Sequence, residues 1–332
     1  MPEIRFLDSD DLADLASPPE YVDAVGEGYR ERGNGAPAEP RTSLTGSDPP
    51  GMLTGYYAIL PETGAMGGYM YSAGFGSRDA HFVLPLFDAE SGEPLAILDG
   101  ASMNPYKTGA TGAVAVDALA REDATRVGLI GSGTQARGQL LATATVRDLA
   151  HVSVFSPTKE HRESFAAEMN DQLAPTVEPV PTSDAAILGA DVVITATNAS
   201  EPVFDGDLLE PGTHVTAMGQ YHPEKREIDD VTVARAKYVP DLLARLEQDA
   251  GAYIGALESG AIEKGHAHAE LGDVVAGNAP GRESDDEITV FDSGGTAIET
   301  VAAAKLLYDR AGDEGLGSTV PFSSASEAFI GR

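Results

Sequence analysis

Ten residues constrain this chain more than any others: Val127-Gly128-Leu129-Ile130-Gly131-Ser132-Gly133-Thr134-Gln135-Ala136. A short apolar run reads as a buried strand, and small residues at Gly131, Gly133 and Ala136 then open a helix. Gly131 suits the tight turn, Gly133 lets backbone approach a pyrophosphate, and Ala136 permits close helix–strand packing. The first N–H groups of the helix and its dipole favour an anion there, and Ser132, Thr134 and Gln135 complete the cradle. Ordinary strand-to-helix turns are also glycine-rich, so the flanks decide. A strand precedes the turn, a helix follows, and a second strand comes at Val152-Ser153-Val154-Phe155. Together they predict a dinucleotide-binding βαβ unit.

The pattern beyond Phe155 continues in the same style. Helices are expected over 159–173 and 183–188, and strands near 177–180, 191–196, 214–217, 237–239 and 288–291. Further helices are expected at 241–258 and 295–310. Strands alternating with helices imply a parallel sheet covered on both faces. Ahead of the fingerprint the period changes. Met52–Ile59, Ala65–Ala73, His81–Phe87 and Pro94–Leu98 alternate as strands, separated by Pro61-Glu62-Thr63-Gly64 and Asp88-Ala89-Glu90-Ser91-Gly92-Glu93. That predicts an antiparallel sheet. Helices are expected from Pro18 to about Arg30 and from Asn104-Pro105 through Arg121, and the last twenty residues read as loop.

Composition narrows the setting. There are 53 acidic residues against 22 basic ones, a net charge of −31, and six of the basic residues are Lys. The acids are scattered through a chain that is 42% hydrophobic, which points to a folded acidic protein rather than a disordered tail. Such a charge suits a halophilic cytoplasm, where screening shortens to ~3 Å at 1 M salt. Without a Lys/Arg cluster, nucleic acid is disfavoured as a partner. No apolar run approaches the ~20 residues that span a bilayer, and no Cys or secretory leader pattern is present, so a cytoplasmic location is expected.

The end of the second strand bears on cofactor choice. An NAD site usually offers Asp or Glu to the ribose there. This chain offers Ser156, Thr158, Lys159 and Arg162, hydroxyls and cations able to take a 2′-phosphate, with Glu160 dissenting. NADP is therefore expected, with NAD possible; the alternative is a solvated helix start. Later strand ends, Ala196-Thr197 and Met218-Gly219, would border the cofactor. The turn at Ser293-Gly294, ahead of a helix, would face the nicotinamide or substrate, or simply cap that helix. Thr108, at another helix start, would also face the phosphates.

Arg41 after Pro40, and Lys107 after Pro105-Tyr106, are cations able to bind a substrate carboxylate, surface ion pairs being the alternative. His222 lies beyond a parallel strand, either as an acid–base group or as a solvated turn residue. His266 and His268 have chelating spacing but no third ligand, so no metal site is expected, and His81 reads as structural.

Five blocks, in order, carry a resemblance: Asp88–Ala96, Lys107-Thr108-Gly109-Ala110, Ile130–Arg137, Arg226-Glu227-Ile228-Asp229 and Thr289–Ala297. Over about residues 38–310 the chain resembles the ornithine cyclodeaminase/μ-crystallin family. The resemblance implies an α/β fold: a Rossmann-type parallel-sheet domain, expected at 113–305, and an α+β dimerisation and substrate domain from both chain ends, expected at 1–112 and 306–332. It implies a homodimer and NAD(P)H-dependent oxidoreduction of a small α-amino or α-imino acid, with a cyclodeaminase or a non-catalytic NADPH-binding protein as alternatives. Arg41 matches the family's carboxylate-binding arginine. The chain also departs from the family. A strand lysine of the pattern Gly-x-Lys is replaced in Gly67-Gly68-Tyr69-Met70-Tyr71-Ser72, the second family arginine is Lys107, and no acid occupies Gln220-Tyr221-His222-Pro223. Tyr69, Tyr71 and His222 are then the residues able to replace the lost proton donor.

Overall fold

The computed structural model describes residues 3–75 and 79–328. In chain order the elements are β1 (Glu3–Leu7), α1 (Ser9–Leu12), α2 (Pro18–Gly33), β2 (Thr42–Ser47), β3 (Pro50–Leu60), β4 (Ala65–Ala73), β5 (His81–Asp88) and β6 (Pro94–Asp99). Next come α3 (Asn104–Leu119), β7 (Arg126–Ile130), α4 (Thr134–Val146), β8 (His151–Phe155), α5 (Lys159–Gln172), β9 (Thr176–Pro179), α6 (Ser183–Ile187), β10 (Val192–Thr195) and β11 (His214–Ala217). The chain ends with α7 (Asp230–Arg235), β12 (Lys237–Pro240), α8 (Gly251–Glu258), α9 (Leu271–Val275), β13 (Thr289–Asp292), α10 (Ala297–Glu314), β14 (Ser318–Pro321) and α11 (Ala325–Ala328). Two compact units result, one from 1–104 with 296–332 and one from 105–295. The positions 112 and 305 fall inside α3 and α10.

The first unit is a seven-stranded sheet in the order β14-β1-β6-β5-β4-β3-β2, antiparallel except where β1 runs parallel to β6. Along β3, Thr54, Tyr56, Ala58 and Leu60 are buried while Leu53, Tyr57 and Ile59 are exposed. That period of two turns one face inward. Helices α2 and α10 cover it. Their crossing is tight at Gly28, where a Cβ would lie 3.1 Å from Ala302 Cβ. Buried Glu31 on α2 accepts from the N–H groups of Glu62 and Thr63 at 2.8 and 2.7 Å, tying the helix to the β3–β4 turn. Three strands escape a reading by alternation: β1 buries Ile4 and Leu7 but leaves Phe6 exposed, β2 is exposed along its whole length, and β14, within the expected C-terminal loop, is held by pairing with β1. Residues 329–332 of that expected loop lie outside the described residues.

The second unit is an all-parallel sheet, β12-β13-β11-β10-β7-β8-β9. Its inner strands do not alternate. Val192–Thr195, His214–Ala217 and Thr289–Asp292 are buried throughout, as both faces are covered. Val192 and Ile194 enter one apolar cluster with Val127, Leu140 and Phe165, while Val193 enters another with Val215, Tyr238 and Val290. Each fully buried Leu or Phe contributes about 2–3 kcal/mol. From β7 the chain runs outward through β8 and β9, then returns to place β10 on the other side of β7. The sheet therefore has a switch point between β7 and β10, where strand ends open a crevice.

One expected helix is interrupted. The stretch 241–258 forms a single 3₁₀ turn at Leu243–Arg245 and then α8. Buried Arg245 draws Asp249 to 2.8 Å and Asp292 to 3.2 Å, and the backbone leaves the helical path at Ala250.

Candidate dinucleotide and substrate sites

The fingerprint sits at the switch point. Gly131 ends β7 with φ +125°, and a Cβ there would lie 2.4 Å from the carbonyl oxygen of Ala196 at the end of β10. Only glycine fits, on sterics and on backbone angle. The Gly131 N–H donates to Phe155 O at 2.8 Å, fixing the ends of β7 and β8 together. Gly133 is the N-cap of α4; no side chain caps the helix, and nothing lies within 4 Å of where its Cβ would be. Gly133 and Thr134 are exposed, Ala136 is fully buried, and Gln135 Oε1 is buried with no hydrogen-bond partner. An uncapped helix start beside open space, with its first N–H groups unclaimed by any side chain, fits a pyrophosphate.

Helix α3 brings Thr108 to the same place. A Cβ on Gly109 would lie 2.1 Å from Gly138 O, and one on Gly138 2.1 Å from Pro105 O. The first turn of α3 thus lies in contact with α4, and Gln139 Nε2 donates to Thr108 O at 2.7 Å. Lys107 is buried on that turn.

At the end of β8, Ser156 Oγ lies 3.0 Å from Ser132 Oγ, which joins this strand end to the fingerprint. No carboxylate stands at that position. Arg162 turns back, with Nη1 donating to Ser156 O at 2.9 Å and Cζ 5.8 Å from the Phe155 ring centre. Thr158 caps α5 by position, without a side-chain bond. Lys159 is exposed and lies 3.6 Å from Glu163, a surface pair of little strength.

Four residues expected at the cofactor are engaged by carboxylates that sequence reasoning passed over. Buried Glu227 accepts from Thr197 N and Gly219 N, each at 2.6 Å, and from Thr195 Oγ1 at 3.0 Å. Burial raises its pKa and these bonds oppose the rise. The backbone donors of Thr197 and Gly219 are therefore committed within the protein. Met218 N likewise donates to Thr195 O, and Ala196 N to Ile130 O. Asp241 takes the N–H groups of Gly294 and Gly295 at 2.8 and 3.0 Å and the Ser293 hydroxyl at 3.3 Å. The helix after this turn is not open either. Thr296 caps α10, in a capping box with Glu299, rather than Ser293. Glu227 was discoverable, lying inside a recognised block, but nothing local marks an acid that reaches two strand ends.

The first unit holds a second cluster. Arg41, 8% exposed, donates from Nη1 to the Tyr71 hydroxyl at 3.3 Å, with Cζ 5.6 Å from the Tyr56 ring centre. Tyr69, expected among the possible proton donors, lies in the interior of the same cluster. Its ring is fully buried and its hydroxyl donates to Gly100 O at 2.7 Å, while burial pushes its pKa well above the usual tyrosine value. His222 is exposed on a turn, its Nδ1 accepting from Glu224 N at 3.2 Å.

A shallow hollow of about 700 Å³ opens at the amino edge of the parallel sheet, beside Arg235, Lys237, His266 and His268. Its polar side chains are already engaged: Lys237 with Gly281 O and Glu283, His266 with Val233 O, His268 with Pro280 O. Among the described residues no group of three or more His, Asp or Glu could hold a metal ion, and no helix is long and apolar enough to cross a membrane.

Comparison with known proteins agrees with this geometry. Residues 62–315 match the model of the ornithine cyclodeaminase/mu-crystallin family. A Delta(1)-pyrroline-2-carboxylate reductase of Bacillus cereus is 35% identical over 248 residues, 74% of this chain and 76% of that protein. The Delta(1)-pyrroline-2-carboxylate reductase of Thermococcus litoralis, solved with NADH and L-proline, superposes with a TM-score of 0.90 at 33% identity. That match covers 96% of this chain and 100% of the other. An archaeal alanine dehydrogenase dimer with bound NAD gives a TM-score of 0.90 at 32% identity over 97% and 100%.

Proposed function

The chain belongs to the ornithine cyclodeaminase/mu-crystallin family, and from that premise we propose an NAD(P)H-dependent oxidoreductase that interconverts a small α-imino acid and its α-amino acid. The observation that carries the reading is the open, uncapped turn between β7 and α4 at the sheet's switch point. Its similarity to reductases and dehydrogenases of imino and amino acids, two of them holding NADH or NAD, supports it.

When bound, the nicotinamide gives or takes the hydride at the substrate α-carbon. The rest falls to the protein. The N–H groups at the start of α4, around Ser132–Gln135, hold the pyrophosphate, with Thr108 beside them. Arg41, with its planar fork, is the residue that would grip the substrate carboxylate. NADPH is the preferred cofactor: Ser132 and Ser156 present hydroxyls where a carboxylate would repel a 2′-phosphate, and Lys159 and Arg162 add positive charge.

The protein works as a homodimer, like the alanine dehydrogenase neighbour. The outer face of the first unit's sheet supports this, with Leu44, Tyr57, Met70 and Val83 exposed by 67, 57, 46 and 44%. The charge of −31 suits a salt-rich cytoplasm of haloarchaeal type, and the unfolding midpoint should climb as KCl rises from about 0.1 to 1 M.

The decisive assay uses purified protein in molar KCl. NADPH and NADH absorbance are followed with Δ1-pyrroline-2-carboxylate and with 2-oxo acids plus amines. Turnover carries the proposal. Tight NADPH binding with no turnover of any substrate turns the reading into a binding protein. Ammonia release from ornithine without net cofactor change makes it a cyclodeaminase, which the lack of an acid in Gln220-Tyr221-His222-Pro223 disfavours.

A further inference from the structure

We propose that Tyr71 is the catalytic acid–base residue for the substrate nitrogen, with the Arg41 guanidinium stabilising its phenolate; this rests on the reading of Arg41 as the carboxylate anchor. Strand β4 carries no Lys, Asp, Glu or His, so tyrosine is its only proton-transferring side chain. Three tyrosines share the inward face. Tyr56 pairs with Tyr69 across β3 and β4, and Tyr71 lies one pleat further along, with ring centres 5.9 Å apart for Tyr56–Tyr69 and 6.5 Å for Tyr56–Tyr71.

Their hydroxyls meet different groups. Tyr69 donates to the Gly100 carbonyl, and Tyr56 is hydrogen-bonded to the Thr300 side chain. The Tyr71 oxygen accepts from Arg41 Nη1 at 3.3 Å. A cation that donates to a phenol oxygen stabilises the phenolate, which is the form left after proton transfer. Ring contacts fix the position: Phe82 lies 4.9 Å from Tyr71, and Arg41 stacks over Tyr56. The ionisable groups facing the cluster are Arg41, Tyr56 on β3, Tyr69 on β4, Glu299 on α10, Tyr21 on α2 and Asp99 at the end of β6; Glu299 acts on Tyr56 and Tyr69, and Tyr21 and Asp99 act on Tyr69.

The chemistry balances. In an α-imino acid the nitrogen is two bonds from the carboxylate carbon, so a carboxylate held by Arg41 brings that nitrogen towards Tyr71. As hydride reaches the α-carbon, the C=N π pair moves to nitrogen, which takes the Tyr71 proton. Solvent then reprotonates the phenolate. In the oxidative direction the phenolate removes the N–H proton as hydride leaves. One imino acid, one reduced nicotinamide and one proton become one amino acid and one oxidised nicotinamide.

The test is Tyr71→Phe, assayed with Δ1-pyrroline-2-carboxylate across pH. The expected result is a kcat loss of at least about 100-fold near pH 9 that shrinks towards pH 6, where solution delivers the imine already protonated. KM and the cofactor Kd from fluorescence titration should stay within about threefold. Fluorotyrosine placed at 71, a more acidic phenol of nearly the same shape, should move the alkaline limb of the kcat profile to lower pH. That shift decides the matter if Tyr71→Phe folds poorly, since packing alone would not move the limb. A Tyr71→Phe enzyme with kcat reduced equally at every pH, or hardly reduced, overturns the role of Tyr71 while leaving the oxidoreductase reading intact. A wild-type protein that turns over none of the cyclic imines or 2-oxo acids overturns both.

Discussion

The carboxylate of Glu227 accepts the backbone N–H of Gly219 at 2.6 Å, across the end of β11. With Thr197 N at the same distance on the other oxygen, one buried side chain clamps the β10 and β11 exits beside the crevice. Glu227→Gln keeps the shape but turns an NH₂ group towards one of those donors. It should lower stability by about 1–3 kcal/mol, the cost of leaving a buried donor unmatched. Urea midpoints measure this, and cofactor titrations should show weaker binding as the loops loosen. An unchanged midpoint would remove the clamp from the account.

The proposed preference for NADPH can be tested at one of its positions. Ser156 is 6% exposed and touches Ser132, so a carboxylate placed there meets any 2′-phosphate at short range. Ser156→Asp should weaken NADPH by about tenfold or more, roughly 1.4 kcal/mol, while NADH changes by about threefold at most. Fluorescence titration of both nucleotides decides. Equal effects on the two would overturn the NADP assignment.

Which parts were legible in the residues follows from how local each signal is. The βαβ pattern was readable because the glycine of the turn, the apolar strand and the helix start lie within ten residues, and Gly131 and Ala136 behave as their spacing implies. The antiparallel strands β3 to β6 were readable from alternation. Strand β14 was not, since its four exposed residues are held by β1 across the length of the chain. The same non-locality hid the carboxylate clamps. Asp241 and Glu227 capture donors 53 and 8 residues away, so Gly294 and Gly219 looked available in sequence and are occupied in the fold. Tyr69 and Tyr71 lie one pleat apart, and what separates them in the fold, the Gly100 carbonyl at one hydroxyl and Arg41 at the other, is far away in the sequence.

His214, at the start of β11, gives a pH signature. It is fully buried between Thr289 and Thr216 hydroxyls, and its pKa is lowered to about 3, chiefly by burial and then by Arg282 and Arg147. The fold therefore favours the neutral ring. Above the unfolded value of ~6.5 this group's contribution is fully present; as pH falls towards 3 the unfolded chain takes up a proton that the folded one refuses. The loss is at most about 1.4 kcal/mol per pH unit in that window. His214→Gln should flatten the fall of the urea midpoint between pH 6.5 and about 3 relative to wild type, whatever it does at pH 7. Parallel curves would show that another group sets the acid slope.

The proposed homodimer draws on the sheet's outer face. Leu53, Tyr57 and Ile59 project from β3 on the side away from α2 and α10; Met70 follows on β4, opposite Val83 on β5 in the register. A row of apolar side chains across three strands exceeds the scattered exposure normal for a monomer. A two-fold axis through this face would bury every such residue twice, so one substitution per chain acts twice in the dimer. Tyr57→Glu with Met70→Lys places charges of both signs on the patch without touching the inward face, so the monomer's own core is kept. In light scattering at micromolar protein and molar KCl the wild type should run at twice the 34.5 kDa chain mass and the double variant at the chain mass itself. The site makes a second demand on the same experiment. Tyr69 and Tyr71 alternate with Met70 on β4, so freeing the outer face removes support from the strand that carries the acid–base residue. The separated chain should therefore keep cofactor affinity, which depends on the other unit, while losing turnover. A wild-type protein that is monomeric at micromolar concentration, or a double variant that stays dimeric, would place the interface elsewhere or nowhere.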